Sequence, residues 1–264
     1  MAHPNKLQNA RVLVFGGTSG IGFATASLCL SQGSYVTISG SNQGRIDNTV
    51  KRLHDAYPSI PKDRVSGYVV DLLDTPSLES NLKSLFETIT SNGANKIDHI
   101  AFTAGDSLAI PKIQEVTAES SMQLGKVRLV APIIIAKLLS TGTYMASSPS
   151  SSFTITGGVN TKKPLPGWAM GSAWGSMAEG LMRGLAVDLK PIRVNLVEPG
   201  AIQTPLLQGF IDRTGPGVLD MFKKGTLTGE VGQPEDTAEA YAWFMKDRFA
   251  TGTVAQTNGG SLLT

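Results

Sequence analysis

Cysteine is nearly absent from this 264-residue chain, which carries only Cys29. One thiol closes no internal disulfide, which excludes a disulfide-stapled scaffold and suits a reducing compartment. Its place in the apolar pattern FATASLCLSQ predicts a buried structural thiol. Long apolar runs are missing too. The richest, LVAPIIIA at 129–136, is flanked by Arg128 and Lys137 and is too short to span a bilayer. The first ten residues, MAHPNKLQNA, lack the apolar stretch of a signal peptide. Charged residues make up 17% with a formal net charge of +2, and no basic tract stands out, so neither nucleic acid nor a membrane surface is implied as a partner. Of three histidines, His54 and His99 fall on different elements without metal-ligand spacing. These absences describe a cytoplasmic globular protein whose partner is a small molecule, with no metal.

What is present is a regular alternation. Short β-branched runs stand at RVLVF (11–15), YVTIS (35–39), VSGYVV (65–70), HIAFT (99–103), SFTIT (152–156), RVNLV (193–197) and TVAQT (253–257). Between them lie stretches of helical length around 21–31, 45–56, 76–90, 117–140, 172–189 and 234–245, one opening on the cap-like pair Thr75-Pro76. Continuous apolar strands separated by helices predict an α/β protein: one doubly wound parallel sheet of about seven strands, covered on both faces. No internal repeat is visible, and SSPSSS at 147–152 is too short for an interdomain linker, so 1–264 reads as a single domain. The interval 205–230, with TGPGV and KKGTLTG, reads as an insertion that would serve as a substrate lid.

The first strand runs directly into GGTSGIG, residues 16–22, and then into a helix. Glycines allow backbone to approach a pyrophosphate, and a helix N-terminus offers free N–H groups and a favourable dipole. At the end of the second strand, SGSN puts Gly40 where an acidic side chain would hold a ribose diol. Ser41, Asn42 and Arg45 would instead donate to a 2′-phosphate, so NADP(H) is expected over NAD(H).

On these residues the chain resembles the short-chain dehydrogenase/reductase family along nearly its whole length. The family's glycine motif falls on Phe15, Gly16, Gly20, Ile21 and Gly22. Asp71 matches the aspartate facing the adenine, FTAG (102–105) the family's N-N-A-G strand end, and AVDLKPIRVNLVEPGAIQTP (186–205) is similar to the sixth strand and its P-G turn. GQPED (232–236) and TNGG (257–260) match C-terminal markers. The resemblance implies a Rossmann-type fold and a cofactor site made of Gly16, Thr18, Ser19, Gly20, Ile21, Gly22, Ser39, Ser41, Asn42, Arg45, Asp71, Leu72, Ala104, Gly105, Pro199, Gly200, Ile202 and Thr204. It also implies a homo-oligomer, dimer or tetramer, through the helices at 117–140 and 172–189.

The family's catalytic set is a tyrosine, a lysine four residues on, a serine and an asparagine. Their places here are Gly171, Gly175, Gly157 or Gly158, and Arg128. None of the five tyrosines (Tyr35, Tyr57, Tyr68, Tyr144 and Tyr241) has a lysine four residues later. Carbonyl reduction by a tyrosine acid is therefore not expected. Gly171 and Gly175 share one helical face, each at about 1 kcal/mol relative to alanine. Two readings offset that: room for a bulky substrate, or close packing of a neighbouring helix against Ser172, Ala173, Ser176 and Gly180. A neutral carbonyl needs a proton on its developing alkoxide, whereas an iminium carbon accepts hydride without one. The pattern is similar to a fungal subgroup from indole-alkaloid pathways in which an NADPH-dependent reductase also controls a Diels–Alder cyclisation. That resemblance assigns Arg128 and Trp168 to the reaction pocket, while Leu165 and Gly167 stand where the subgroup has an aspartate. Lys162 and Lys163, adjacent in a loop, read as solvated. The expected activity is that of an atypical NADP(H)-dependent reductase of secondary metabolism that transfers hydride to a bulky substrate, an imine or iminium, a ketone or an activated alkene, without a tyrosine-lysine acid. The alternatives are a non-redox cyclase or isomerase with NADP as part of its pocket wall, and an inactive nucleotide-dependent binding protein.

Overall fold

The computed structural model describes residues 2–105, 111–123 and 125–264. Seven strands form one parallel sheet: β1 (Arg11–Phe15), β2 (Tyr35–Gly40), β3 (Val65–Val69), β4 (His99–Phe102), β5 (Ser152–Thr156), β6 (Arg193–Pro199) and β7 (Val254–Thr257), in the order β3-β2-β1-β4-β5-β6-β7. Phe15 pairs with Ser39 on one side and Phe102 on the other. The order reverses between β1 and β4, and that switch point opens a crevice at the carboxyl ends of the strands.

The strands are apolar at consecutive positions because both faces are covered. Leu13, Phe15, Ile100, Phe102, Phe153 and Leu196 face one core with α3 (Leu78–Thr90), α5 (Ala131–Leu139) and α6 (Ala169–Asp188). Val12, Val14, Ile38, Ala101 and Val197 face the other, with α1 (Gly20–Ser31), α2 (Gln43–Ala56) and α9 (Pro234–Lys246). Period-two alternation sends neighbours to opposite cores, and each fully buried Phe or Leu contributes roughly 1.5–3 kcal/mol. Cys29 lies in the second core, 3.7 Å from the Met245 sulfur, and burial pushes its thiol up to about 12. It is a structural thiol, as its pattern indicates. His99 is buried in β4, where its Nδ1 meets the Ser152 hydroxyl at 2.9 Å and burial pushes its pKa down to about 3.

Three helical expectations are corrected. The helix expected from 76 starts at Leu78, because Asp74 and Leu73 carbonyls take the N–H groups of Ser77 and Thr75 in a preceding turn. The helix expected at 117–140 is α4 (Ala118–Gln123), a π turn at Lys126–Val130 and α5. The helix expected from 172 already begins at Ala169, taking in the glycine-rich stretch. The interval 205–230 contains α7 (Pro205–Thr214) and α8 (Gly217–Lys224). Among the described residues no helix is long and apolar enough to cross a membrane, and no cluster of three or more His, Cys, Asp or Glu side chains is arranged to hold a metal.

Candidate active site

The glycine loop lies where β1 ends. Gly16 has φ +78°, and a Cβ there would stand 2.7 Å from the Ala104 nitrogen. Its N–H donates to the Ser39 carbonyl at 2.9 Å, so the backbones of β1, β2 and β4 converge on it. A Cβ on Gly22 would overlap the Gly16 carbonyl oxygen and the Thr103 hydroxyl, which keeps α1 tight against the loop. Ser19 is the N-cap of α1 without a side-chain cap bond, and the first turn holds no acidic residue. This positive helix end, framed by close-packed glycines, is a cradle with the chemistry a pyrophosphate needs.

Other residues implied by the resemblance surround the same edge. Thr204 caps α7 by accepting from the Leu207 N–H at 3.3 Å, and its methyl stands 2.9 Å from where a Cβ on Gly20 would be. Gly200 packs on Asn258, and Ile202 pairs with Gly232 in a short parallel bridge. Pro199 ends β6 and is buried. Thr18 covers Gly40, its methyl 3.0 Å from a Cβ there, and its carbonyl accepts from Thr49. Ser41, Asn42 and Arg45 are exposed at the start of α2, where the Asn42 side-chain oxygen accepts from the Arg45 N–H at 3.0 Å. That bond occupies the amide oxygen and orients the amide nitrogen as a donor. Beyond β3, exposed Asp71 accepts from the Leu73 N–H at 2.9 Å, and Leu72 is buried. Ile21 flanks the second core at the start of α1. Ser39 differs from the rest: it is buried, and its visible part in the site is its carbonyl.

Arg128 sits in the π turn. An extra residue per turn re-aims the side chains of a helix, and such turns recur at functional sites. Here the Arg128 guanidinium lies over Gly105 at the end of the FTAG segment, with Nη2 2.5 Å from where a Cβ on Gly105 would be. A side chain at 105 would displace the guanidinium from this place. Burial pushes the Arg128 pKa down to about 10, so it remains a cation at neutral pH. The π turn is held by Trp174, a residue sequence reasoning missed. Its ring covers Gly125, and its Nε1 donates to the Ser121 carbonyl at 3.0 Å. Trp168, just before α6, packs edge-on against Phe210 of α7 with centroids 5.5 Å apart, and Phe210 meets Phe222 of α8 at 6.3 Å.

The glycine at 175 is explained by neither expected reading. A Cβ there would overlap the Thr161 methyl, from the 3-10 turn Val159–Thr161. The Ser172 hydroxyl donates to the Asn160 carbonyl at 2.7 Å, and the Asn160 Oδ1 stands 2.7 Å from where a Cβ on Gly158 would be. The chain's own turn therefore fills the position of the absent lysine and stands over Gly158, one of the two places for the serine, while the other, Gly157, faces Leu196. Gly180, on the same helix, has open space around it. A Gly175→Ala variant is expected to lose about 1 kcal/mol, overpacking outweighing the helix-propensity gain. Gly180→Ala is expected to gain about 0.5–1 kcal/mol by the same propensity. Urea midpoints measure both, and equal effects at the two positions would contradict the packing difference.

Lys162 and Lys163 are exposed, as their place in a loop indicates, and each also has a partner. Lys162 Nζ is 2.7 Å from Oε2 of Glu198, which is fully buried, and Lys163 Nζ donates to the Ser261 carbonyl at 2.9 Å. Glu198 was missed, although an acid inside the apolar strand RVNLVEP is itself a signal of a buried partner.

A glycine-rich turn opening a helix at the switch point of a doubly wound parallel sheet defines a dinucleotide-binding fold. The description of an SDR-like Rossmann domain matches residues 3–264, and the chain belongs to the short-chain dehydrogenase/reductase family, as an oxidoreductase. It is 42% identical over 257 residues to the short-chain dehydrogenase/reductase malC of Malbranchea aurantiaca, covering 97% of this chain and 96% of the relative. It is 38% identical over 262 residues to fsr5 of Gibberella fujikuroi, covering 98% and 97%. The solved structure of the MalC reductase/Diels-Alderase superposes with a TM-score of 0.91, covering 98% of this chain and 99% of that one.

Proposed function

We propose that the protein is an NADP(H)-dependent reductase that delivers hydride to the iminium carbon of a bulky substrate, an imine entering only after taking its proton from solvent, without a tyrosine acid. The observation that carries this reading is the Arg128 guanidinium packed over Gly105 at the cofactor edge, in a site whose lysine position is occupied by Thr161. Gly16, Gly20 and Gly22 with the start of α1 would hold the pyrophosphate, and Ser41, Asn42 and Arg45 the 2′-phosphate. When bound, NADPH supplies the hydride. Arg128 would donate to a carbonyl or amide oxygen of the substrate and orient it. Its charge disfavours a cation held against it, so the reacting nitrogen would lie away from the guanidinium. Trp168 would form an apolar wall, closed by α7 and α8 as a lid through Phe210 and Phe222. Because hydride goes to the carbon and the released electron pair neutralises the iminium nitrogen, no proton donor is needed at that nitrogen.

The likeness to MalC also raises intramolecular cyclisation as a second reading. Leu165 and Gly167 provide no acid beside Trp168 for it. The oligomer reading is supported by Ala173, Ser176 and Gly180, exposed on α6, and by Val187, 65% exposed further along the same helix. We expect a homodimer or homotetramer in the cytoplasm, readable by sedimentation.

The deciding experiment is stopped-flow absorbance of bound NADPH mixed with 3,4-dihydroisoquinoline, a cyclic imine, and with a matched cyclic ketone. Oxidation with the imine and not the ketone is expected, and NADPH should bind at least about 10-fold more tightly than NADH, a difference of about 1.4 kcal/mol. Oxidation of neither would sink the reductase reading, and equal affinities would sink the NADP preference.

A further inference from the structure

Glu198 is the buried carboxylate that the proposed chemistry leaves unused. It ends β6 one residue before Pro199, with its side chain fully buried. An ion in that position is costly unless it is paired and its lone pairs are met. Its Oε2 accepts from Lys162 Nζ at 2.7 Å and from the Gln256 amide at 3.3 Å, while its Oε1 accepts from the Thr161 hydroxyl at 3.4 Å. Lys162 also stands 3.8 Å from Glu179 on α6. Two of these donors come from adjacent residues, Thr161 and Lys162, and the first belongs to the turn that enters the vacated catalytic positions. The Thr161 methyl stands against Gly175, and Asn160 lies over Gly158 and accepts from Ser172. Lys163 then ties the following residue outward to Ser261 and Thr264.

We propose that Lys162 and Glu198 are positioning residues: their ion pair latches the Val159–Thr161 turn to the end of β6, where the turn lies against α6, which makes Asn160 and Thr161 the pocket wall that selects the substrate. The family's place for a catalytic serine and lysine becomes a shaped surface of one amide and one methyl. A ligand reaching it would need an apolar flank with a hydrogen-bonding edge. The kinetic arm of this inference rests on the reductase reading; its structural arm does not.

The test compares Lys162→Arg, Glu198→Gln and the double variant Lys162→Met with Glu198→Gln, which removes both charges together. Hydrogen exchange by mass spectrometry reads the amides of Thr161, Lys162 and Lys163, which donate to Gly158 and Val159 carbonyls. In the double variant exchange over 158–164 is expected to rise about 10-fold while α1 and α9 are unchanged. NADPH affinity should stay within about 2-fold, and KM for 3,4-dihydroisoquinoline should rise about 10-fold, more than kcat falls. Lys162→Arg should restore both. If the double variant does not fold, Glu198→Gln alone, isosteric and without the charge, carries the same comparison. Unchanged exchange and KM overturn the latch, and so does faster exchange spread evenly over the protein, which marks a purely structural pair. If the wild type fails to oxidise NADPH with the probe, the reductase reading falls and the exchange data still decide the latch.

Discussion

An Arg128→Ala variant is expected to bind NADPH as the wild type does and to oxidise it with the cyclic imine about 100-fold more slowly, the loss typical when a preorganised donor is removed from a dry site. The expectation follows from position. The guanidinium is mostly buried, packed on Gly105 at the carboxyl edge of β4, and held there by the π turn that Trp174 covers. Its pKa of about 10 keeps it charged at neutral pH, so the variant's deficit should not change between about pH 6 and 8. Titration of NADPH by fluorescence separates the outcomes. If affinity for the cofactor falls instead of turnover, the guanidinium serves the ribose and the substrate role is wrong.

Arg193→Met is expected to destabilise the fold by about 3–5 kcal/mol, the range for leaving buried polar groups without their charged partner. Arg193 opens β6 and is buried, with its Nε donating to the Pro149 carbonyl at 2.7 Å and Nη2 to Met245 at 3.2 Å. Nη1 donates to the carbonyls of Phe244 and Ala250. Several of these acceptors lie in or beyond the last turn of α9, where carbonyls lack helical partners and a cation complements the dipole. Burial lowers the Arg193 pKa, partly offset by Asp247. Removing the guanidinium would strand these carbonyls and loosen α9 from the sheet. Urea unfolding checks it, with Arg193→Lys expected to recover only part, since an ammonium cannot span the same fork of acceptors. A loss under about 1 kcal/mol would mean that water takes over the carbonyls.

The sheet was legible because both of its faces are buried. RVLVF, HIAF and SFTIT are buried at nearly every position, and their β-branched and aromatic residues mark them as strands. The glycine loop was legible for a similar reason: contacts such as Gly22 against the Gly16 carbonyl admit no side chain, so the pattern survives in the residues themselves. The start of α6 was less legible. Glycine and serine at Gly171 and Ser172 weaken helix propensity, and the helix begins three residues early because Ser172 and Gly175 are held by the Val159–Thr161 turn. Trp174, Gly125 and the π turn were not legible at all, since an extra residue in a helix leaves no periodic trace over so short a span.

By itself the sequence determined the parallel sheet, the glycine cradle and the absence of a tyrosine-lysine pair. Each of these depends on residue type along one segment, whether through side-chain period, allowed backbone conformation or the presence of an acid. Only the tertiary structure decided what became of the empty catalytic positions. Gly175 and Thr161 are fourteen residues apart in sequence, and Lys162 and Glu198 thirty-six. Overlap of atoms and pairing of charges over such separations depend on how the chain closes on itself, so local pattern cannot encode them. The exposed lysines are also the ties of a packed turn, and the space at Gly175 is filled by Thr161 of that turn.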